Sequence, residues 1–230
     1  MTDTDALILF GDVVGSRRDS IGSTTWLREL VAELDTAYGP HRLAPFGFTQ
    51  GDELQGLLSL DADPLTAVLR AALGPSGRRM RWVVVRGRAD PDPTGGLAPA
   101  TERTGEGFVA ARAAIQEART GHERLVIVTG GPDVDSLLAN LTPALMDMLD
   151  GLTERQRMVA RLALIEDLRQ SEVADRLKVR RATISVSFNR ARVRSLQRLV
   201  AGIGRIYASA RGDPWLDTAA TVPDSAVVAD

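Results

Sequence analysis

The sequence predicts an α+β chain in two parts, and two observations carry that prediction. Up to about residue 150, short apolar segments of strand length alternate with longer segments whose apolar residues recur every three or four positions. After residue 151 only the helical period remains, and the charge reverses. Residues 1–150 carry 14 Arg against 21 Asp and Glu, a net −7, whereas residues 151–212 carry 14 Lys and Arg against 5 Asp and Glu, a net +9. Residues 213–230 add four Asp and no base. The expected organisation is an α+β domain over 1–131, a connecting helix over 132–150, an all-helical domain over 151–212 and a disordered tail over 213–230.

The first apolar run, Ala6 to Phe10, ends on the pair Gly11-Asp12, as a strand buried on both faces does. Ser23 is placed to cap the helix that follows, in which Trp26, Leu27, Leu30, Val31, Leu34 and Tyr38 share one face before Gly39-Pro40 ends it. Phe46 to Gln50 and Leu54 to Leu60 flank Gly51-Asp52-Glu53, a connection short enough to force an antiparallel hairpin. Pro64 opens a second helix with Leu65, Val68, Leu69, Ala72 and Leu73 on one side, closed by Gly74-Pro75, and Met80 to Val85 is the next strand. This order places helices on one face of an antiparallel sheet.

Arg88 to Thr104, rich in Pro, Gly, Asp and Thr, reads as a mobile loop. Gly105-Glu106-Gly107 leads into a helix through Phe108, Ala111, Ala114, Ile115 and Ala118, and Leu125 to Val128 is a further strand. A helix over Asp133 to Leu149 should be kinked or broken at Pro143. Thr153-Glu154-Arg155-Gln156 has capping-box spacing and starts a helix to about Leu168. A short helix over Ser171 to Leu177 follows, then Lys178-Val179-Arg180-Arg181, then a long helix from Ala182 whose apolar stripe through Leu199, Val200, Ile203 and Ile206 extends it to Ala210.

Composition excludes several chemistries. The 230 residues contain no cysteine, so disulfides, thiol nucleophiles and thiolate-held zinc are ruled out. His41 and His122 stand singly in turn-like contexts and read as surface residues rather than metal ligands. No apolar run approaches the ~20 residues of a membrane helix, and the acidic start Met1 to Asp5 is unlike a secretory signal. A cytoplasmic location is expected.

The chemistry concentrates in Leu9 to Arg17, where a strand ends on Asp12 and the turn Gly15-Ser16-Arg17 follows. The hairpin can return Asp52 beside Asp12, with Glu53 replacing or supplementing it. Two carboxylates at strand ends suit Mg²⁺, and Gly15, Ser16 and Arg17 can offer N–H groups and a guanidinium to phosphate oxygens. On spacing alone the same aspartates equally suit turns and backbone caps.

Phe10-Gly11-Asp12-Val13-Val14-Gly15-Ser16, Gly51-Asp52 and the segment Gly105 to Arg112 resemble the three signature segments of class III nucleotide cyclases. With the Gly-Ser-Arg and Gly-Asp-Glu-Leu-Gln-Gly details, residues 6 to 130 are still more similar to the SatD family, and the Gly-Asp-Glu-Leu turn also resembles part of the diguanylate cyclase signature. The resemblance implies a ferredoxin-like βαββαβ palm with Asp12 and Asp52 at the metal positions, Mg²⁺ as possible cofactor and Arg112 retained near the nucleotide. The base-reading Lys of adenylate cyclases falls at Phe48 and the transition-state Asn at Phe108. A pocket with those replacements is expected to bind a nucleotide without cyclising it.

In the basic segment, two helices joined by about four residues, the second rich in Arg, Ser, Thr and Asn, form a helix-turn-helix pattern. Residues 152 to 199 resemble the promoter-recognition helix-turn-helix of sigma factors, through Leu152 to Gln156, Ser171-Glu172-Val173-Ala174, Ala182-Thr183-Ile184 and Arg190-Ala191-Arg192. Val173, Ala174, Leu177, Ile184 and Phe188 are expected to pack the helices, leaving Arg180, Arg181, Thr183, Ser185, Ser187, Asn189 and Arg190 to face DNA. The combined expectation is a DNA-binding transcription regulator whose cyclase-like domain senses a nucleotide or cyclic nucleotide. Alternatives are an Mg²⁺-dependent nucleotide-converting enzyme tethered to DNA, and a DNA-binding dimer with a vestigial palm. A homodimer is expected, with the stripe after Leu196 as its surface.

Overall fold

A computed structural model of the chain describes residues 3–15, 20–49, 52–92, 94, 95 and 97–210, with the side chains of residues 20 and 21 excepted. Ser16, Arg17, Gly51 and the tail 213–230 therefore lie outside the described residues. The fold is α+β, a mixed five-stranded sheet with helices followed by an all-helical region.

Strands β1 (Thr4–Val13), β2 (Arg42–Phe48), β3 (Glu53–Leu58), β4 (Met80–Ala89) and β5 (Leu125–Val128) stand in the order β2-β3-β1-β4-β5. β1 is antiparallel to both β3 and β4, and β2 is antiparallel to β3. With α1 (Ser20–Tyr38) and α2 (Thr66–Ala72) as crossovers, this is the split βαββαβ arrangement that the ferredoxin-like expectation required. β5 pairs in parallel with β4 after the crossover helix α3 (Glu106–Thr120), so the sheet is mixed rather than purely antiparallel.

β1 is sealed on both sides, and the alternation of its side chains decides what each face meets. Leu7, Leu9 and Val13, with Leu54, Leu58, Trp82 and Val84, face α1, α2 and the C-terminal helices. Ala6, Ile8 and Phe10, with Leu57, Val83 and Val85, face Phe108, Ala111, Ile115 and Ala118 of α3. The sheet is thus covered on both faces, where the early elements alone suggested one. Two glycines make this layering possible. A Cβ on Gly11 would lie 2.6 Å from the Trp82 ring, and one on Gly87 would lie 2.7 Å from the Cα of Gly107, so the first turn of α3 rests directly on β4.

Several expectations need correction. α1 begins at Ser20, so Ser23 is inside the helix rather than its cap; it is buried, and its Oγ accepts a bond from Arg78 at 3.0 Å. The segment after β4 is tied down rather than loose: Arg103 donates to Asp92 at 3.1 Å, Thr104 donates to Asp90 at 2.7 Å, and Ala100 is fully buried in a short 3-10 turn. Helix α4 (Pro132–Asp150) runs unbroken through Pro143. The lost N–H at Pro143 removes one bond of the ladder, while burial of Leu138, Leu145 and Met146 on either side holds the helix together.

The last four helices are α5 (Glu154–Leu164), α6 (Gln170–Arg176), α7 (Arg181–Arg190) and α8 (Val193–Ser209). Thr153 and Gln156 form the expected capping box. The long third helix is two helices, because Arg192 adopts a left-handed conformation (φ 49°) that ends α7 and redirects the chain. α8 then lies against α4, with Leu196, Ile203 and Tyr207 buried. Of the stripe expected at a dimer surface, Ile203 is buried within the chain, while Leu199, Val200 and Ile206 are half-buried. Among the described residues no helix is long and apolar enough to cross a membrane.

Candidate functional site

The end of β1 carries the charged site. In the register, Asp12 stands between Glu53 of β3 and Arg81 of β4, and all three point to the α3 face. Burying a carboxylate demands partners. Asp12 has two: Arg81 Nη1 lies 3.0 Å from Oδ2, and Arg119 Nη2, from the end of α3, lies 3.1 Å from Oδ1. Arg81 also donates to the carbonyl of Glu123 at 3.0 Å, which fixes its guanidinium. Burial pushes the Asp12 carboxyl up from its ordinary value; Arg119 pulls it down, the Asp52 charge raises it, Arg81 lowers it again, and the balance remains upward.

Arg112 lies two turns before Arg119 on α3 and stands 6.0 Å over the Phe10 ring. Glu53 accepts a bond from the buried Gln55 at 2.8 Å. The structure therefore brings Asp12, Glu53 and Arg112 to the α3 face near the end of β1, with Asp52 next to Glu53 in the chain and close enough for its charge to raise the Asp12 carboxyl. It adds Arg81 and Arg119, which the sequence reading missed. A signal for each was present: Arg81 interrupts an apolar strand, and Arg119 falls seven residues after Arg112 on the same helix face. Gly15 follows β1 with φ 76°, a glycine conformation that turns the chain, while Ser16 and Arg17 are not described.

The residues do not fit a metal site in this arrangement. Both oxygens of Asp12 are held by guanidinium groups, and among the described residues no three His, Cys, Asp or Glu side chains cluster as ligands. Phe48 and Phe108 are both packing residues, on opposite faces. Phe48 pairs with Leu54 and packs on the α1 side, whereas Phe108 lies 6.1 Å from Phe10 under α3.

The second candidate surface is α7. α6 ends in a turn where Lys178 is left-handed (φ 52°) and the Val179 N–H donates to the carbonyl of Ala174 at 3.0 Å. Arg180 is extended and immediately precedes α7. Ile184, Phe188 and the following Ala191 are buried against the neighbouring helices, which fixes the opposite ridge outward. That ridge carries Arg181, Ala182, Val186, Asn189 and Arg190, all exposed, with Thr183 half-buried. Ser185 and Ser187 flank the ridge and are half-buried, so they are less outward than expected. Val186 was missed, because an apolar residue in a helix pattern reads as core; it is 50% exposed. Among the described residues Arg180, Arg181 and Arg190 make no ion pair within the chain.

No protein-family model matches the chain, and no curated protein matches it. Among solved structures it is similar to the regulator of polyketide synthase expression from Bifidobacterium adolescentis, at 15% identity over 90% of this chain and 82% of that one, with a TM-score of 0.24. A likeness that distant carries no argument about this chain. The resemblances to SatD proteins, class III cyclases and sigma factors rest on the quoted motifs alone.

Proposed function

We propose that the chain is a DNA-binding transcription regulator whose N-terminal domain senses a nucleotide or cyclic nucleotide. The observation that carries the first half is α7. Its inner ridge is locked by Ile184 and Phe188, and its outer ridge presents Arg181, Val186, Asn189 and Arg190 to solvent on a helix whose own sequence holds no Asp or Glu. Arg reads guanine and Asn reads adenine in the major groove, while Val186 offers an apolar contact to a thymine methyl. Arg180, Arg181, Thr183 and the flanking Ser185 and Ser187 serve phosphates.

The sensing half is supported by Arg119, which can exchange its Asp12 contact for a ligand phosphate, and by Arg112 over the Phe10 ring near the same strand end. Gly15, Ser16 and Arg17 follow directly in the chain. Mg²⁺ shared by Asp12, Asp52 and Glu53 would have to displace Arg119 from Asp12 Oδ1 or Arg81 from Oδ2; this favours a sensor over a metal-dependent enzyme. Two-fold pairing is part of the proposal, through the half-buried residues Leu199, Val200 and Ile206 of α8.

The test is fluorescence anisotropy with duplex DNA across a salt series. Wild type should bind with a steep negative log–log salt dependence, and Arg180→Ala with Arg181→Ala should weaken binding and flatten the slope by about 2. Unchanged affinity and slope would refute DNA binding by α7. For sensing, a thermal-shift screen of nucleotides with and without Mg²⁺ should find a ligand whose effect Arg112→Ala abolishes. A ligand at 100 times its dissociation constant stabilises the fold by about 2.7 kcal/mol.

A further inference from the structure

A cavity of about 430 Å³ opens between α1, α2 and α5, on the opposite face of the sheet from Asp12. It lies where the first helix of the basic region meets the α+β domain. Trp26, Leu30 and Leu73 give it apolar walls, and Met158 of α5 stands at its mouth, 46% exposed. The volume falls within the ~300–1,000 Å³ of small-molecule sites, which favour such junctions.

The charge inside is unbalanced. Arg70 Nη1 and Arg161 Nη2 both donate to the same oxygen, Glu33 Oε1, at 2.8 and 2.5 Å. Arg70 Nε and Arg161 Nη1 are buried without a hydrogen-bond partner. Two guanidinium groups thus share one carboxylate, and two of their N–H donors, sealed from solvent, stay unspent, which costs free energy. Of the other charged residues lining the cavity, Glu29 and Glu154 are exposed at its rim, and Arg157 donates to the Leu152 carbonyl at 3.1 Å. With Glu29 and Glu154 exposed, the inner part of the lining sets Arg70 and Arg161 against the single carboxylate of Glu33, beside apolar walls.

We propose that this cavity binds a small organic anion, a carboxylate on an aromatic or aliphatic body, with the carboxylate on Arg70 and Arg161 and the body against Trp26, Leu30 and Leu73. Arg–carboxylate pairing in a fork geometry gives the site its preference for an acid over the matching neutral compound. The site is separate from the proposed nucleotide site, and it bridges the two parts of the chain through Arg161.

The experiment is titration calorimetry on the full chain without DNA, so its outcome is independent of the DNA-binding reading. The probes are phenylacetate, its neutral analogue phenylacetamide, and inorganic phosphate. Phenylacetate is expected to bind at least tenfold more tightly than either of the others, and Arg161→Gln should weaken it at least tenfold. Met158→Trp, at an exposed position that does not threaten folding, should block the mouth and give the same loss. Asp12→Asn, across the sheet, should leave binding unchanged. Absence of phenylacetate binding at millimolar concentration, equal binding of the amide, or binding that survives Met158→Trp would overturn the proposal.

Discussion

At Asp12 two effects of opposite sign act on one carboxyl group. Burial favours the neutral acid, and the two arginines favour the anion. Removing the side chain and removing its charge should therefore differ sharply. Asp12→Ala leaves the buried Arg81 guanidinium without its partner and should cost about 3 kcal/mol in a urea melt. Asp12→Asn keeps an acceptor and relieves the desolvated charge, and should stay within about 1 kcal/mol of wild type. The pH dependence follows from the same balance. A carboxyl raised above its unfolded value contributes stability that is present below the unfolded value and is lost as pH rises through the folded one. Arg119→Ala removes the larger of the two opposing charges, so the Asp12 carboxyl should rise further in an NMR titration and the loss of stability should extend to higher pH. A carboxyl that stays put or falls in that variant would mean the Arg119 contact is absent in solution.

Among the elements, the boundary between α7 and α8 is the one the apolar stripe concealed. The helical period runs nearly continuously from Ile184 to Ile206, and no Gly or Pro marks the break. The break sits instead on Arg192, a side-chain-bearing residue in the left-handed region, which costs roughly 1 kcal/mol relative to glycine. Arg192→Gly should accordingly raise stability in a thermal melt by up to about 1 kcal/mol if the two helices are distinct. A single continuous helix would instead be destabilised by about the same amount. Pro143 errs in the other direction, since a residue that usually ends helices lies within one. Here burial of α4 along β5 and α8 outweighs one missing bond.

On the scale of the whole molecule, charge divides the chain but packing does not. One apolar cluster runs from Leu7 of β1 through α1 and α4 to Ile203 and Tyr207 of α8. Arg161 of α5 pairs with Glu33 of α1, and Arg86 of β4 donates to the carbonyl of Ala210 at 2.7 Å. Unfolding should follow a single cooperative transition, with fluorescence and circular dichroism coinciding. A chain truncated after Arg192 should lose that transition, because it exposes the face of α4 that α8 covers. Two separate transitions, or an unperturbed melt of the truncated chain, would show the regions to be independent. The strands, the crossover helices, the split βαββαβ order and the helix-turn-helix spacing were legible in the sequence, because each depends on local periodicity, caps and turn residues. The positions of Asp12 and Glu53 at strand ends were legible in the same way, whereas Arg112, within α3, was named only through the family resemblance. Arg81 and Arg119 as partners of Asp12, the α8–α4 contact and the Arg70–Glu33–Arg161 cluster were decided only by the tertiary structure. Their partners lie far along the chain, 69 residues apart for Arg81 and Asp12 and 128 for Arg161 and Glu33, and no short-range pattern encodes which charge a buried residue will meet.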